Sequence, residues 1–418
     1  MPALLRRSVA GVLALVISQI SVSEIAAGIS VSTDFEGGSA VVVEQNDDLQ
    51  SLHIQPVVEE GRGFPCWWYL KVSGLKPGEM MMLKVSANPH PFREGRVLNG
   101  SWSMPDRAAI STDNQEWVQT PPGERADDAI TYQLKAPAET IWLAWGPPFL
   151  PSHAEKLLNQ AKEKLPDAEI FELARTRNDR PVKGIRFGAQ PTETFKPLGI
   201  WIQARQHAWE SGSSWVARGF LKWAVSDDEA AVELRKIASI HFIPIMDVDS
   251  VSIGAGGKES VPRDHNRDWD DQPHYPEVAA AQKKISALEQ DGMFDVFIDL
   301  HNPGPGDREP FFFGPIGLET LPKIQQRNYV RFLAYAHDAI HDLRDKYRFA
   351  TYVKTQEERD RVSSNWVRDH TSPHVFSATL ETAWNRPEGT QEGYQAVGRQ
   401  LGHALLRYLE SDPRKESP

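Results

Sequence analysis

The chain has very little cysteine, since Cys66 is the only one in 418 residues. A lone cysteine cannot form a disulfide within the chain, which excludes a disulfide-stapled scaffold. Long basic runs are also missing, and 46 Lys and Arg against 57 Asp and Glu give a net charge of −11. This balance argues against nucleic acid as a partner. Internal repeats and low-complexity segments are lacking as well, so the length indicates two or three globular domains.

Apolar runs long enough to cross a membrane are missing beyond the amino terminus. Residues 1–28 have the pattern of a secretory signal peptide, with Arg6 and Arg7, an apolar stretch at 8–20 and small residues at 26–28. A retained membrane anchor is the alternative, but a spanning helix needs roughly 20 apolar residues. We therefore expect a secreted or periplasmic protein, without stable membrane insertion once the signal is removed.

Residues 29–150 predict an all-β, sandwich-like domain. Short alternating or apolar runs are separated by Gly, Pro and Asn clusters, and no helical period persists. The aromatic residues of this region could form a carbohydrate-binding platform. We favour core and interface positions for them, as is usual for aromatics in strands. They are Trp67, Trp68, Tyr69, Trp102, Trp117, Trp142 and Trp145.

Residues 151–411 predict an α/β domain that opens with a linking helix from Pro151. Strand-like and helical stretches then alternate, which predicts a mixed, largely parallel sheet with helices on both faces. The polar residues 412–418 are predicted to be a disordered tail. The expected strands are 170–176 and 182–187, joined by a hairpin-like turn at Asn178-Asp179, and then 199–203, 241–246, 294–300 and 376–380. The expected helices are 214–225, 227–237, 275–290, 319–345 and 390–409.

Candidate metal ligands lie where these strands end. His207 and Glu210 follow the first expected strand, and His301 follows the third. An imidazole and a carboxylate three residues apart can bind one zinc ion, and a catalytic zinc site needs a third protein ligand. On its own the His207–Glu210 pair would more often be a surface pair. With His301 at a neighbouring strand end, the three residues predict a zinc site.

Glu381 and the Asn266-Arg267 pair complete a catalytic set. Glu381 ends an apolar strand, where a carboxylate needs a partner or a chemical role, so it is either a structural acid or a general base. Asn266 and Arg267 can grip a carboxylate, although a solvated loop is the alternative. With the zinc triad they indicate metal-assisted hydrolysis of a substrate that carries a carboxylate.

The motifs resemble those of the zinc metallocarboxypeptidases, in particular the cytosolic-carboxypeptidase branch. The similar stretches are ARQHAWESGSSWVARGFL, PRDHNRDW, DLHN and TLET, and DFEGGSA and WWYLKVSGLKPGE look like the branch's amino-terminal β-domain. The resemblance covers roughly residues 30–405 with the motifs in family order. It implies a Zn²⁺ cofactor, Glu381 as general base, Asn266 and Arg267 as carboxylate ligands, and a peptide or protein carboxyl terminus as substrate.

The sequence departs from the family pattern in three places. An arginine that polarises the scissile carbonyl should lie ten residues before Arg267, where the chain has Gly257, so we expect Lys258 to replace it as a catalytic residue. The family tyrosine is missing between Lys354 and Glu381, where Trp366 or His370 could fill its space. Trp209 stands where a glycine is usual and should narrow one wall of the site.

Arg368 lies close to where the branch has a basic residue that receives acidic carboxyl-terminal residues. We therefore predict that it binds substrate, with pairing to Asp369 as the equal alternative. Two functions follow from the sequence. One is a zinc-dependent carboxypeptidase, and the other is a peptide- or glycan-binding protein on a carboxypeptidase scaffold that has lost catalysis.

Overall fold

The computed structural model describes residues 28–415. The predicted signal segment therefore lies outside the described residues except for Gly28, and so do residues 416–418. Within the described range, no helix combines the length and the apolar character that a membrane crossing requires. The fold consists of a strand-rich first domain followed by an α/β domain.

The first domain contains ten strands in two five-stranded sheets. The sheets have the orders β1-β4-β10-β6-β7 and β2-β3-β5-β9-β8. Strand β5 shows the period of two, since Met81, Leu83 and Val85 are buried and alternate with more exposed residues. Trp68 of one sheet packs 6.4 Å from Tyr132 of the other. The strands are β1 (Ser30–Ser32), β2 (Val41–Asn46), β3 (Ser51–Gln55), β4 (Tyr69–Ser73), β5 (Met80–Ser86), β6 (Ala109–Ser111), β7 (Val118–Gln119), β8 (Glu124–Ala126), β9 (Ala129–Lys135) and β10 (Ile141–Ala144).

The second domain begins with helix α1, which has a proline in its first turn, where the missing N–H costs nothing. Seven strands form one sheet, and nine helices accompany it within the described residues. The helices are α1 (Pro151–Lys164), α2 (Ser211–Ala224), α3 (Glu229–Ile237), α4 (Val248–Ile253), α5 (Pro276–Gln290), α6 (Lys323–Ala339), α7 (Gln356–Asp360), α8 (Ser363–His370) and α9 (Gln391–Glu410). The strands are β11 (Glu169–Arg175), β12 (Pro181–Gly188), β13 (Leu198–Ala204), β14 (Ala238–Ile243), β15 (Val296–His301), β16 (Phe311–Phe313) and β17 (Phe376–Glu381).

The seven-stranded sheet is less parallel than the sequence predicts. Its order is β11-β12-β14-β13-β15-β17-β16. The central strands β14, β13, β15 and β17 are parallel, but the pairings of β11, β12 and β16 are antiparallel. Half of the six pairings are thus antiparallel. The sequence predicts the hairpin β11–β12, so the difference comes from the antiparallel pairings β12–β14 and β16–β17.

Helices cover both faces of this sheet. Phe242 of β14 stacks on Phe220 of α2, which places α2 on one face. Phe297 of β15 packs against Trp269, which in turn packs against Trp366 of α8 on the other face. Side chains of opposite parity in register-matched strands point to opposite faces, so the two contacts cannot lie on one side.

The predicted disordered tail is wrong for residues 412–415. The guanidinium of Arg414 donates to both carboxylate oxygens of Asp295, at 2.6 and 2.7 Å, and to the carbonyl of Gly292 at 2.9 Å. Asp295 is fully buried. A buried carboxylate needs a partner, and Arg414 fixes the tail to the start of β15.

Candidate active site

Three neighbouring parallel strands deliver the candidate residues to one edge of the sheet. Strand β13 ends at Ala204, β15 ends at His301 and β17 ends at Glu381. His301 and Glu381 are direct register partners. Because the carboxyl ends of parallel strands meet at one edge, the loop after β13 lies beside both side chains.

The loop after β13 is shaped by a buried arginine that the sequence analysis missed. Arg205 has a left-handed φ of 67° and is 1% exposed. Its guanidinium donates to the carbonyls of Ala208 at 2.6 and 2.8 Å and of Phe149 at 2.9 Å. These bonds fold the chain back on itself, so that His207 and Glu210 face the ends of β15 and β17.

Helix α2 starts earlier than predicted, at Ser211 instead of 214, and Glu210 occupies its N-cap position. In the first turn of α2, Ser213 donates its hydroxyl to the Glu210 carbonyl at 2.8 Å. A carboxylate at the N-terminus of a helix is favoured by the helix dipole, which helps to hold Glu210 ionised.

His207, Glu210 and His301 converge as a metal-binding cluster. The Nδ1 atoms of both histidines lie 2.8 Å from the two carboxylate oxygens of Glu210. One ligand atom from each residue lies within 4.8 Å of the others. All three residues are at most 2% exposed. Burial raises the pKa of Glu210, but the two histidines outweigh it and hold that pKa well below its usual range.

The outer nitrogens of both histidines face carboxylates. His301 Nε2 lies 2.9 Å from Asp299, and His207 Nε2 lies 3.4 Å from Asp264. Metal-binding histidines characteristically present the outer N–H to a carboxylate, which leaves the other nitrogen free as a ligand. In that tautomer, two nitrogen lone pairs and a carboxylate point at one another. Such a group of donors fits a bound cation, and its N, N, O composition fits Zn²⁺.

Asp299 lies two residues before His301 in β15. Residues two apart in a strand share a face, and the Asp299 carboxylate contacts the His301 imidazole directly. The same carboxylate accepts from the Ser363 hydroxyl at 2.6 Å and from the Gln206 amide. Gln206 in turn accepts from Trp269 Nε1 at 2.8 Å. Asp299 therefore orients the His301 imidazole through the nitrogen that faces away from Glu210.

Glu381 faces the metal cluster as a buried and poorly solvated carboxylate. It is 8% exposed, and its Oε2 has no hydrogen-bond partner among the described residues. Burial and the negative charge of Glu210 raise the pKa of Glu381 to about 8, while His301 and Lys258 oppose this shift. A carboxyl group with a raised pKa in a cleft is typical of a group that exchanges protons during catalysis.

Asn266 and Arg267 lie in the short helical turn His265–Arg267, beside the metal cluster. The Asn266 amide nitrogen lies 3.4 Å from His301 Nε2, and its oxygen accepts from the Ser363 N–H at 2.9 Å. Burial lowers the pKa of Arg267, but Asp264 and Tyr352 outweigh it and raise that pKa above its usual value. The guanidinium therefore stays charged.

Lys258 lies where the sequence predicts a replacement for the missing arginine. It lines the same cavities as Glu381 and Arg267. Burial lowers the pKa of Lys258, but Tyr352, Asp264 and Glu210 together raise it above its ordinary value. The ammonium therefore stays positively charged beside Glu381 and Arg267.

A tyrosine that the sequence analysis did not consider, Tyr352, lines both cavities. It lies two residues before Lys354, outside the stretch in which the resemblance leads us to expect a tyrosine. The residue is 57% exposed, so it is accessible to a substrate. The two expected substitutes, Trp366 and His370, instead stack on each other 4.5 Å apart.

Two cavities meet at Glu381, Lys258 and Arg267. The smaller one, of about 130 Å³, also contains His207, His301 and Asn266 and is closed by residues 350–368. The larger one, of about 430 Å³, opens on the other side of Glu381 and is walled by aromatic residues. These aromatic residues are Phe64, Trp102, Trp209, Phe311, Phe313 and Tyr352.

Arg368 has contacts that bear on both interpretations of the sequence, substrate binding and pairing with Asp369. It lines the smaller cavity with Asn365, to whose amide oxygen it donates at 2.6 Å. It also forms a two-pronged pair with Asp369, at 2.9 and 3.0 Å. Its side chain is 15% exposed and that of Asp369 is 46% exposed.

Trp209 forms part of the contact between the two domains. It is fully buried, with Trp102 and Trp145 of the first domain in edge-on contact at 5.5 and 5.2 Å. It also lines the larger cavity. Its bulk therefore closes one wall of that cavity. It also packs the loop after β13, which carries His207 and Glu210, against the first domain.

Two family models match the chain. Residues 154–295 match the model described as zinc carboxypeptidase, and residues 31–145 match the model described as cytosolic carboxypeptidase N-terminal domain. The first match contains His207, Glu210 and the Asn266-Arg267 pair but ends before His301 and Glu381.

Individual relatives are distant. An uncharacterised protein of Zymomonas mobilis is 23% identical over 309 residues, 73% of this chain and 75% of that protein. Cytosolic carboxypeptidase 6 of Caenorhabditis elegans is 26% identical over 57% of this chain and 55% of that protein, so the chain spans about half of that relative. A crystal structure of a metallo-carboxypeptidase from Burkholderia cenocepacia matches with a TM-score of 0.79 at 21% identity, over 92% of this chain and 100% of that chain. The structural match shows a shared fold.

Proposed function

We propose that this chain, which carries a zinc carboxypeptidase domain behind a cytosolic carboxypeptidase N-terminal domain, hydrolyses the last residue from a peptide or protein. One observation carries the proposal. The donor atoms of His207, Glu210 and His301 converge, and the two histidines line one cavity with Arg267 and with Glu381, whose Oε2 has no hydrogen-bond partner among the described residues. This arrangement joins metal binding, proton transfer and carboxylate recognition within one small volume.

The chain's own residues would divide the work as follows. Bound Zn²⁺ supplies a Lewis acid and an activated water near neutral pH. Glu381 accepts the proton of the attacking water and passes it to the leaving amine. Lys258 stabilises the negative charge that develops on the carbonyl oxygen, as a point charge in a site of low dielectric. Asp299 holds His301 in its metal-binding tautomer, and the nearby carboxylate of Asp264, 3.4 Å from His207 Nε2, favours the same tautomer of His207.

Recognition of a carboxyl terminus would rest on Arg267 and Asn266. A planar guanidinium binds a carboxylate through two parallel hydrogen bonds, and the amide adds a neutral donor. Both residues line the smaller cavity, a confined space of about 130 Å³. These two features favour removal of single residues from a chain end over cleavage within the chain.

The charge of the smaller cavity favours an acidic terminal residue. Lys258, Arg267, Arg359 and Arg368 line it, and Glu381 is the one carboxylate among its described lining residues. Arg267 would bind the main-chain carboxylate. Arg368 would then be available for a carboxylate side chain, once substrate competes with Asp369.

The proposal is tested by measuring the release of amino acids from peptides that differ only in a final Glu, Leu or Lys. We expect zinc-dependent release that stops when a chelator is added and returns with Zn²⁺. A protein that binds these peptides tightly with full zinc occupancy but releases nothing would support the binding protein on a carboxypeptidase scaffold instead.

Export to the periplasm or the exterior is part of the proposal and rests on the sequence of residues 1–28. The name of the Caenorhabditis elegans relative points to the cytosol for that protein. Amino-terminal sequencing of the mature protein separates the two. A start near residue 29 supports export, whereas an intact amino terminus would contradict it.

A further inference from the structure

The loop that carries Lys258 is held by the first domain. We call residues 254–261 the Lys258 loop and residues 61–64 the clamp. The Phe64 N–H donates to the Lys258 carbonyl at 2.9 Å. The Gly257 N–H donates to the Arg62 carbonyl at 2.8 Å, and the Val261 N–H donates to the Gly61 carbonyl at 2.9 Å. The two segments thus run side by side like paired strands.

At this contact there is no room for a Cβ atom, so glycine is required. A Cβ atom on Gly63 would lie 2.0 Å from the Lys258 carbonyl oxygen, and one on Gly256 would lie 1.9 Å from the Phe64 carbonyl oxygen. Gly63 also has a left-handed φ of 81°. Only glycine allows two backbones to approach this closely. The sequences Gly61-Arg62-Gly63-Phe64 and Gly254-Ala255-Gly256-Gly257 are therefore two halves of one contact.

Charged groups of the first domain add to the clamp. Arg93 and Arg96 both donate to Glu259, the residue after Lys258, at 2.9 and 2.8 Å. On the opposite side, the Gly256 carbonyl accepts from the Trp209 N–H at 2.9 Å. The Lys258 loop is therefore held between the first domain and the loop after β13, which carries His207 and Glu210.

We propose that the clamp positions Lys258, so that the chemistry of the second domain depends on residues 61–64 of the first. This inference rests on the proposed function, in which the ammonium of Lys258 stabilises the transition state. A lysine side chain is flexible, so the placement of the Lys258 ammonium follows its backbone, which the clamp holds directly through the Phe64 N–H. Within the clamp, residues 61–63 contact the loop and line neither cavity, so their role is positioning.

The test is Gly63→Ala, with Gly78→Ala as the matched control. Gly78 has a similar φ of 84° and no atom within 4 Å of the added Cβ, so the control carries the same backbone strain without the clash. We expect Gly63→Ala to keep full zinc content and a KM within about twofold, while kcat falls about ten- to a hundredfold. Gly78→Ala should keep the kcat of the unchanged protein. Equal kcat values for the two variants would overturn the inference.

A second readout does not require activity. Lysines labelled with ¹³C-methyl groups give NMR signals, and the signal of Lys258 is identified by its loss in Lys258→Met. Gly63→Ala should move this signal and Gly78→Ala should not. If the protein releases no residue from any peptide, the proposed function fails, but an unmoved signal in Gly63→Ala would still overturn the inference by itself.

The double variant Arg93→Gln, Arg96→Gln covers the case in which Gly63→Ala does not fold. Both side chains are partly exposed, at 38% and 54%, so the change leaves the core intact. We expect kcat to fall about threefold to tenfold, with a shifted Lys258 signal, since ion pairs of this kind contribute modestly. Unchanged kcat together with an unchanged signal would contradict the clamp.

Discussion

The metal cluster and the smaller cavity beside it are built in different ways. His207, Glu210 and His301 are at most 2% exposed and stand at or just after strand ends. Their positions are fixed by carboxylates and amides that are themselves buried, above all Asp299. The cavity wall consists of loop and short-helix residues, among them Tyr352 at 57% exposure and Arg368 bound to an exposed partner.

This contrast separates the chemistry from the selection of substrate. Residues held by strand ends and buried partners have one arrangement, because leaving a buried polar group without its partner costs about 1–3 kcal/mol. Exposed loop residues carry no such cost and can rearrange around a substrate. Changes in the metal cluster should therefore abolish function, whereas changes in the cavity wall should redirect it.

The largest effect is expected from His301→Ala. With two protein ligands left, the site should lose zinc affinity by more than about a hundredfold, and activity should disappear with the metal. Metal analysis of the purified, folded variant measures this directly, with the exposed His337→Ala as control. Full zinc occupancy in His301→Ala would show that His301 is not a metal ligand. It would also contradict the proposed difference between the metal cluster and the cavity wall.

The second effect concerns Glu381→Gln, which keeps the size of the side chain and its hydrogen bonding but cannot accept a proton. We expect kcat to fall by about a hundredfold or more with zinc still bound. The exposed Glu193→Gln serves as control. If release of amino acids continues at an unchanged rate, Glu381 is a structural acid.

Strand ends could be predicted from the sequence because they depend on local pattern. Apolar runs locate β13, β15 and β17 to within two residues, and the polar residues at their ends indicate the metal site. Neighbouring strands then bring His301 and Glu381 together by register alone. Site residues placed by regular secondary structure are thus accessible to sequence reasoning.

Residues placed by irregular chain segments were not accessible in this way. Tyr352 lies in a loop, and Arg205 acts through a left-handed turn that no local pattern indicates. The short helix α8, which contains Arg368, was also missed because eight residues give too little periodicity. The contact between the clamp and the Lys258 loop, at Gly63 and Gly256, joins segments almost two hundred residues apart. It can therefore be seen only in the folded chain.

A moderate effect is expected from Arg368→Ala, which probes the cavity wall. If the guanidinium receives an acidic side chain, removing it should cost about 1.5–3 kcal/mol in kcat/KM for peptides ending in Glu and little for those ending in Leu. Asp369→Asn is the informative companion, because it frees Arg368 from its present partner and should leave or improve the preference for Glu. Faster release of Leu or Lys than of Glu by the unchanged protein would end this idea.

The smallest effect is expected at a buried histidine outside the metal cluster. Unlike His207 and His301, this histidine has no acidic partner among the described residues. His241 of β14 is 3% exposed, stacks on Trp201, and has no hydrogen bond at Nδ1. Burial, and then the positive charges of Lys284 and Arg186, lower the pKa of His241 to about 3, from an ordinary value of 6.5.

Between these two pKa values the unfolded chain binds a proton at this position that the folded chain does not. His241 therefore contributes a loss of stability as the pH falls from 6.5 towards 3, of about 1.4 kcal/mol per pH unit at most. His241→Phe keeps an aromatic ring in the stack and removes the titration. Its free energy of unfolding, measured by urea denaturation from pH 7 to pH 5, should decline less steeply than that of the unchanged protein. The exposed His90→Gln should follow the unchanged protein, and parallel declines for His241→Phe would show that His241 is solvated or paired.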